Sequence, residues 1–240
     1  MLSDIIIAGA NGHLGKRILA GLKTSGYSVL GVDKYAPHDL RGEVALCDFA
    51  SVNETRDYFE AIRPLIQSDQ PVLVLALGKI HSEPMLIWEE TRFSVHAEKA
   101  WDETIESNLK SVFVGTSEFV RMCRVKRCSG LVIAFSSVSA AGNPGQAAYS
   151  SAKAGVEGFV RSVAKELGPI GIRAVSLAPG FFNSGSTRDN VEANRLAKVV
   201  RSTPLRRLGE VEELVSTISW LVENRFVTGT TIQIDGGLTL

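Results

Sequence analysis

The chain begins with a glycine-rich turn between an apolar strand pattern and an amphipathic helix pattern. Residues 4–8 are predicted to form a buried strand, and Gly9-Ala10-Asn11-Gly12-His13-Leu14-Gly15 leads into a helix that ends near Gly26. A second strand over 27–32 is followed by Asp33. Glycines let a backbone approach a pyrophosphate, a helix start attracts its charge, and an acid after the second strand accepts ribose hydroxyls. The layout favours a dinucleotide-binding site over a purely structural turn.

The same turn does not fit the phosphate loop of nucleoside triphosphatases. Ala10 stands five positions before Gly15, where that loop has a glycine. Arg17 follows Lys16, where a hydroxyl is needed for Mg²⁺. The turn residues that we expect to contact a dinucleotide are Gly9, Asn11, Gly12, His13, Leu14 and Gly15.

Asp33 also bears on the choice between NAD and NADP. A carboxylate at the end of the second strand accepts ribose hydroxyls and repels a 2′-phosphate. The neighbouring Lys34 argues in the opposite direction. The sequence therefore predicts NAD(H), with NADP(H) as the less favoured alternative.

Strand and helix patterns alternate along the whole chain. Strands are expected at 44–46, 72–77, 131–135, 172–177 and 230–235, and helices at 51–67, 101–123, 149–167, 191–200 and 210–223. This alternation is typical of a parallel sheet covered by helices on both faces. At 240 residues the chain is long enough for one large core. We predict an α/β fold with a Rossmann-type doubly wound parallel sheet, in a single domain over residues 1–240.

Tyr149 and Lys153 are spaced to share one site. Four residues on a helix place two side chains one turn apart on the same face. A positive charge about 5 Å from a phenol is worth about 3 kcal/mol at an effective dielectric of about 20, which lowers the phenol pKa by roughly two units. Such a tyrosine can exchange a proton with an alkoxide or alcohol. The alternative is a surface Tyr that stands beside a Lys by chance.

Charge and apolar patterning limit the partners. Lys plus Arg equal Asp plus Glu at 26 each, and the pI is about 6.9, so the chain has no basic footprint for nucleic acid or an anionic membrane. The apolar run 72–77 is too short to span a bilayer, and the N-terminus lacks a signal-peptide layout. We expect a cytoplasmic protein whose partners are small molecules or copies of itself.

The cysteines and histidines carry no metal motif in the sequence. Cys47, Cys123 and Cys128 are odd in number and lack ligand spacing, which indicates reduced thiols. His81 and His96 lie in an irregular stretch, 79–99, that we interpret as an excursion on the substrate side of the sheet. We assign these histidines no role and expect no metal site.

A polar stretch, 183–203, has few core signals. It is interpreted either as a mobile lid over the site or as an ordinary surface hairpin.

Several of these stretches, in this order, resemble the short-chain dehydrogenase/reductase family over nearly the whole chain. The matching features are the turn 9–15, Asp48, Trp101-Asp102 leading to Asn108, Ser136-Ser137-Val138, Tyr149-x-x-x-Lys153, Pro179-Gly180, Pro204-Leu205-x-Arg207-Leu208-Gly209, Thr228-Gly229 and Asp235-Gly236-Gly237.

The resemblance implies a role for individual residues. Tyr149 corresponds to the general acid/base, Lys153 to the residue that also binds the nicotinamide ribose, Ser137 to the carbonyl-orienting serine and Asn108 to the support of a proton relay. The remaining residues implied to bind the cofactor are Asp48, Phe49, Leu77, Gly78, Pro179, Gly180, Phe182 and Ser184. The family also implies a homo-oligomer, a tetramer or dimer, through the helices at 101–123 and 149–167.

Two departures from the family pattern stand out. His13 occupies the position where the commoner pattern of small members has its second glycine. The usual Asn-Asn-Ala-Gly after the fourth strand is replaced by Leu75-Ala76-Leu77-Gly78.

Adjacent serines leave the carbonyl-orienting position open to two assignments. The family's usual spacing, counted back from Tyr149, points to Ser136. The strand register counted forward from Gly130 points to Ser137, and we choose Ser137 because a loop loses a residue more easily than a buried strand changes register.

The predicted function is an NAD(H)-dependent oxidoreductase that interconverts a secondary alcohol and a ketone. A 3-oxoacyl-thioester reductase that uses NADPH, or a dinucleotide-binding sensor without turnover, are the alternatives.

Overall fold

The computed structural model of the chain describes residues 4–35, 44–89, 92–185 and 193–238. The strands are β1 (Asp4–Ala8), β2 (Ser28–Asp33), β3 (Val44–Leu46), β4 (Val72–Leu75), β5 (Leu86–Glu89), β6 (Arg92–Val95), β7 (Gly130–Phe135), β8 (Ile172–Pro179) and β9 (Thr231–Ile234). The helices are α1 (His13–Thr24), α2 (Val52–Ile62), α3 (Glu98–Ile105), α4 (Ser111–Lys126), α5 (Ala147–Leu167), α6 (Ala193–Ser202) and α7 (Val211–Glu223).

The central sheet has the order β3-β2-β1-β4-β7-β8-β9, and its neighbouring strands all pair in parallel. The chain runs outward from β1 to β3 in one direction and from β4 to β9 in the other. The strand order therefore reverses between β1 and β4, and ligands of doubly wound sheets bind at the carboxyl ends of the strands at such a point. The predicted α/β, Rossmann-type, doubly wound fold is confirmed.

Each face of the sheet is covered by a separate hydrophobic core. In β1, Ile6 and Ala8 enter the core beneath α2, α4 and α5, whereas Ile5 and Ile7 enter the core beneath α1 and α7. All four side chains are fully buried. Successive side chains of a strand point to opposite faces, and a parallel strand covered on both faces is apolar throughout. The continuous Ile-Ile-Ile run is therefore the pattern expected for a central strand.

Two predicted helices are interrupted. The helix expected over 51–67 ends as α2 at Ile62 and continues as one 3₁₀ turn, Arg63–Leu65, because Pro64 lacks the backbone donor that an α-helix needs. The helix expected over 101–123 begins earlier, at Glu98, and consists of α3 and α4 joined by a π turn, Glu106–Lys110. Hydrophobic periodicity alone does not show an extra residue in one turn.

The predicted irregular excursion over 79–99 contains a regular element. β5 and β6 pair in antiparallel register and form a hairpin outside the main sheet. Trp88 and Phe93 stack across it with their ring centroids 6.0 Å apart. The prediction of an irregular stretch was wrong here, because the hairpin exposes apolar side chains on its surface and lacks the alternation of a strand with one buried face.

Only part of the predicted lid can be compared with the structure. Residues 183–185 and α6, Ala193–Ser202, are described, and positions 186–192 lie outside the described residues. The hypothesis of a mobile lid therefore stays a prediction.

Candidate active site

Two glycines fix the shape of the turn after β1. Gly9 has a positive φ of 87°, and a Cβ there would lie 2.4 Å from the Ala76 carbonyl oxygen. A Cβ on Gly15 would lie 2.0 Å from the Gly9 carbonyl oxygen. Neither position has room for a side chain, so α1 can start directly against the end of β1. A dinucleotide pyrophosphate needs this close backbone approach, and the turn fits that group.

The first turn of α1 is prepared for an anion. Its N-cap residue, Gly12, has extended backbone angles, and within the described part of the chain no side chain caps the helix start and no acid lies in its first turn. The initial backbone N–H groups therefore carry the positive end of the helix dipole without a carboxylate nearby on α1. His13 is exposed and lies close to Gly185, since a Cβ on that glycine would come 2.5 Å from the His13 Nδ1.

Asp33 lies at the end of β2 and contacts the glycine turn. Its Oδ2 accepts a hydrogen bond from the Asn11 backbone N–H at 2.9 Å, and its Oδ1 accepts one from the Tyr35 N–H at 3.1 Å. A carboxylate has about four acceptor positions, so both oxygens can accept further bonds from ribose hydroxyls. The predicted acid and the predicted turn are thus adjacent in space.

Lys34 forms an ion pair with Asp48, with 2.5 Å between Nζ and Oδ2. The hydrogen bond with Asp48 raises the pKa of Lys34. Burial opposes ionisation of Asp48, but the hydrogen bonds from Lys34 and from the Ala50 N–H leave its pKa below the usual range. The cation beside Asp33 therefore already has an acidic partner.

Tyr149 and Ser137 face each other across the gap between the β7 end and the start of α5. Tyr149 is 7% exposed, and burial raises its pKa, while hydrogen bonding with the Ser137 hydroxyl acts in the opposite direction. Ser137 Oγ also accepts a hydrogen bond from the Ser139 N–H at 3.1 Å, which orients the hydroxyl.

Lys153 is one turn after Tyr149 and is fully enclosed. Its Nζ donates hydrogen bonds to the carbonyl oxygens of Leu77 at 3.1 Å and Phe135 at 2.8 Å. It lies 5.7 Å from the centroid of the Tyr149 ring. Burial lowers the pKa of Lys153 to about 7, so its amine titrates near neutral pH.

The expected lowering of the Tyr149 pKa by Lys153 is not found. A full charge on Lys153 would stabilise the phenolate only if the surroundings had an effective dielectric that keeps the amine protonated, about 20. Burial instead disfavours the charged form of both groups, which raises the pKa of Tyr149 and lowers that of Lys153. Tyr149 is consequently a neutral phenol at pH 7 in the protein alone.

Ser136 bonds to α5 at Lys153 and Glu157, beyond the turn that carries Tyr149. Its Oγ donates to Glu157 Oε1 at 2.8 Å and lies 3.2 Å from the Lys153 carbonyl oxygen. The side chain is 3% exposed. The two adjacent serines thus face different groups, as the alternation of side chains at a strand end requires.

Asn108 lies in the π turn between α3 and α4 and is completely buried. Its Nδ2 donates to the carbonyl oxygens of Lys79 at 3.1 Å and Thr104 at 3.0 Å. Its Oδ1 has no hydrogen-bond partner among the described residues. A Cβ on Gly78 would lie 2.0 Å from this oxygen and 3.3 Å from Lys153 Nζ, so an unsatisfied acceptor and the lysine meet at the Gly78 backbone. Such π turns occur often at functional sites.

Phe49 and Leu77 contribute through different parts of the residue. The Phe49 ring is buried in the core and packs against the rings of Tyr58 and Phe59, at 6.0 Å in both cases. Only its backbone is left to serve a cofactor. Leu77 supplies the carbonyl oxygen that binds Lys153 Nζ.

The segment after β8 closes the other side of the strand ends. Gly180 lies so close to the last strand connection that a Cβ would be 2.8 Å from Asp235 Cα. Phe182 and Ser184 are buried. Arg17 on α1 donates a hydrogen bond to the Asn183 carbonyl oxygen at 2.7 Å, so α1 contacts this segment directly.

One polar network beside Tyr149 was missed from the sequence. The buried Gln146 accepts hydrogen bonds from Ser139 Oγ at 3.0 Å and Asn143 Nδ2 at 2.9 Å, and its own amide donates to Ser82 Oγ at 3.1 Å. Gln146 thus connects the segment after β7, the start of α5 and the segment that precedes the β5–β6 hairpin. A glutamine before a helix gives no distinctive signal in a sequence.

Known proteins resemble this chain in both sequence and fold. The family profile described as Enoyl-(Acyl carrier protein) reductase matches residues 35–239. A 3-oxoacyl-(acyl-carrier-protein) reductase from Buchnera aphidicola subsp. Schizaphis graminum is 27% identical over 246 residues, which cover 97% of this chain and 96% of that protein. A (3R)-3-hydroxyacyl-CoA dehydrogenase from Canis lupus familiaris is 31% identical over 194 residues, or 80% of this chain and 71% of that protein.

The 3-oxoacyl-(acyl-carrier-protein) reductase from Salmonella typhimurium is 37% identical over 140 residues, or 58% of this chain. The matched part spans 57% of the Salmonella protein, a little over half its length.

Solved structures agree with the fold. A putative 2-deoxy-D-gluconate 3-dehydrogenase from Agrobacterium tumefaciens, with bound NADP, has a TM-score of 0.83 and 26% identity, covering 98% of this chain and 95% of that one. The aldohexose dehydrogenase of Thermoplasma acidophilum has the same TM-score at 20% identity, covering 99% and 94% of the two chains, which shows a shared fold.

None of the helices in the described ranges is long and apolar enough to cross a membrane. The profile match extends over most of the chain, the Buchnera relative matches it over 96% of its own length, and the parallel order of the sheet agrees with both. The chain belongs to the short-chain dehydrogenase/reductase family of oxidoreductases, whose members act on small molecules with nicotinamide dinucleotide cofactors.

Proposed function

We propose that the protein interconverts a ketone and a secondary alcohol on a small molecule, with NAD(H) as the cofactor. The observation that carries this proposal is the group formed by Ser137, Tyr149 and Lys153, in which two hydroxyls face each other and an enclosed amine lies 5.7 Å from the phenol ring. When bound, the nicotinamide ring supplies or accepts the hydride.

Tyr149 carries the proton in this mechanism. Because burial raises its pKa, the hydroxyl stays protonated at neutral pH and can donate to the oxygen of a ketone as that oxygen gains negative charge. Ser137 donates a second hydrogen bond to the same oxygen. In the oxidation direction Tyr149 accepts the alcohol proton and must first lose its own.

Lys153 positions the site and exchanges protons with it. Its hydrogen bonds to Leu77 and Phe135 fix the amine between the ends of β4 and β7, and its pKa of about 7 lets it exist in both protonation states in the physiological range. The unsatisfied Oδ1 of Asn108 beside the Gly78 backbone is suited to accept a hydrogen bond from a water on a path towards Lys153. The cofactor would bind along the glycine turn, with its pyrophosphate at the start of α1 and its adenosine ribose at Asp33.

The substrate class has two candidates. Relatives named as 3-oxoacyl-(acyl-carrier-protein) reductase and (3R)-3-hydroxyacyl-CoA dehydrogenase favour a 3-oxoacyl or 3-hydroxyacyl thioester. The structural neighbour named as a putative 2-deoxy-D-gluconate 3-dehydrogenase favours a sugar acid. Both classes contain a secondary alcohol or a ketone, and that oxygen is the group to which Tyr149 and Ser137 would bond.

The choice of NAD(H) is supported by the charges at the end of β2. Asp33 presents a carboxylate, and Lys34 is paired with Asp48. The bound NADP of the Agrobacterium neighbour is the counter-argument. We expect NADH to bind at least about 10-fold more tightly than NADPH, since a dianionic 2′-phosphate beside a carboxylate is repelled.

Fluorescence titration of both cofactors measures this preference. Asp33→Asn keeps an oxygen that accepts from the Asn11 N–H but removes the negative charge. It should therefore improve NADPH binding and reduce the difference in affinity between NADH and NADPH. Asp48→Asn should do the same by releasing Lys34. Equal affinities of the unmodified protein for NADH and NADPH would exclude the assignment.

For Tyr149→Phe we expect loss of turnover with NADH affinity unchanged within a few fold, because the hydroxyl acts chiefly in the transition state. Lys153→Met should lose both turnover and NADH affinity.

In the unmodified protein, kcat/KM for alcohol oxidation should rise steadily from pH 7 to 10, because the Tyr149 pKa is raised and the deprotonated form is required.

Steady-state assays of NADH absorbance against a panel of acyl thioesters and sugar acids provide the measurement. An oxidation rate that is already constant above pH 7 would contradict a raised Tyr149 pKa. Unchanged turnover in Tyr149→Phe would favour the alternative of a dinucleotide-binding sensor.

The serine assignment gives a matched pair of variants. Ser137→Ala should lower kcat by about 100-fold or more, since it removes a hydrogen bond to the developing oxyanion. Ser136→Ala removes a partly buried hydrogen bond to Glu157 and should mainly reduce stability, by about 1 kcal/mol, with a smaller loss of kcat. Assays at saturating cofactor and urea denaturation of both variants distinguish the roles. A larger kcat loss in Ser136→Ala would reverse the assignment.

Homo-oligomer formation through α4 and α5 stays a prediction from the family resemblance. Phe113 on α4 is 53% exposed and packs edge-on against Phe159 of α5, with their ring centroids 6.2 Å apart. An exposed aromatic pair on these two helices is suited to a subunit interface. We expect a dimer or tetramer in sedimentation velocity and dissociation in Phe113→Asp. A monomer at micromolar concentration would contradict this.

A further inference from the structure

Two histidines and a glutamate come together at the base of the β5–β6 hairpin, apart from the proposed catalytic group. One ligand atom from each of His81, Glu83 and His96 lies within 4.8 Å of the others. Glu83 Oε2 is 3.0 Å from His81 Nε2 and also 3.0 Å from His96 Nδ1. The two imidazole rings are 5.7 Å apart and inclined by only 32°. Three potential metal ligands thus converge on one point.

His96 supplies an independent sign that the group binds a ligand. Its side chain is only 4% exposed. Its Nδ1 points to the Glu83 carboxylate, yet it has no hydrogen-bond partner of acceptable geometry in the described part of the chain. A buried ring nitrogen without a partner is unfavourable, and a cation bound between His96 and Glu83 would satisfy it.

We propose that His81 Nε2, His96 Nδ1 and a carboxylate oxygen of Glu83 bind a zinc ion. Two imidazoles and one carboxylate form a three-ligand set that zinc accepts, with a fourth position left for water. Calcium and magnesium prefer all-oxygen sites, so the imidazoles disfavour them. Ligand atoms about 2.1 Å from a tetrahedral zinc lie about 3.4 Å apart. The two 3.0 Å separations would widen by a few tenths of an ångström, and the two ring nitrogens, which lie within 4.8 Å of each other, would settle at the same spacing.

The surrounding contacts orient the carboxylate. Glu83 Oε1 accepts a hydrogen bond from the Ala97 N–H at 3.3 Å, which leaves Oε2 directed at the histidines. The Glu83 N–H donates to the Gly145 carbonyl oxygen at 2.7 Å and fixes the backbone. Outer contacts of this kind strengthen metal binding by holding a ligand in place.

The hairpin explains why the sequence shows no metal motif. His81 and Glu83 precede β5, and His96 follows β6. The His96 N–H donates to the Met85 carbonyl oxygen at 3.3 Å and closes the base of the hairpin. Ligands that are distant in sequence therefore become neighbours only after β5 and β6 pair. A zinc ion would link both ends of the hairpin to each other.

Access for an ion comes from one side. The His81 side chain is 38% exposed, whereas that of His96 is buried. A cation can therefore reach the group from the solvent next to His81, and a water can complete its coordination there. His81 is also the ligand whose replacement disturbs the fold least.

The test is titration of the full-length, chelator-treated protein with zinc, followed by calorimetry and thermal unfolding. We expect one zinc per chain with a Kd in the micromolar range or below. At a zinc concentration about 100 times the Kd, the Tm should rise by roughly 5–10 °C. Cobalt(II) should bind at the same place and give the visible absorption typical of four-coordinate cobalt.

Three ligand variants and one control identify the site. His81→Ala, Glu83→Gln and His96→Gln should each weaken zinc binding by about 100-fold or more and abolish the Tm increase. His13→Ala removes an exposed histidine elsewhere and should leave zinc affinity and stoichiometry unchanged. If His96→Gln unfolds, the more exposed His81→Ala still decides the question by calorimetry.

Two results would overturn the proposal. The first is no zinc binding at about 100 µM, which would leave a purely hydrogen-bonded cluster. The second is equal zinc affinity in the unmodified protein and in His81→Ala, which would place the metal elsewhere. Both readouts are independent of turnover, so a failure of the proposed function does not affect them.

Discussion

The enclosed amine of Lys153 is the interaction on which the arrangement of the site depends. It donates to the carbonyl oxygens of Leu77 and Phe135, at the ends of β4 and β7, and so binds α5 to two neighbouring strands of the sheet. The same helix carries Tyr149, so the position of the phenol follows from the bonds of the lysine. Burial makes this attachment costly for a charged amine, which is why its pKa falls to about 7. A group with that pKa is suited to exchange protons as well as to position its neighbours.

The sequence predicted those parts of the structure that depend on local pattern. The Ile5-Ile6-Ile7 run, the glycine turn and Asp33 were sufficient for the first strand, turn, helix and strand, because each obeys a local steric or periodic rule. The parallel sheet followed from the alternation of elements. Ser137 was chosen over Ser136 from strand register, and the two side chains do face different groups, although their catalytic roles stay predictions.

What the sequence could not give depends on solvent exclusion and on contacts between distant segments. The predicted direction of the Tyr149 pKa shift was wrong, because the extent of burial around a residue is a property of the folded chain. The π turn at Asn108 adds one residue to a helical turn without changing the apolar pattern. The convergence of His81 and His96 needs the hairpin between them, and its exposed apolar surface gave no strand signal.

The hydrogen bonds around Gln146 join the proposed zinc site to the proposed catalytic group. Gln146 bonds to Ser82 on one side and to Ser139 on the other, and Ser139 in turn donates to the Ser137 hydroxyl. The Glu83 backbone bonds to Gly145 immediately before this residue. The hairpin base is thus attached to the segment that carries Ser137 and precedes Tyr149. Order at one end of this chain of bonds restricts movement at the other, because hydrogen bonds that are at least partly shielded from water leave the joined segments few alternative arrangements.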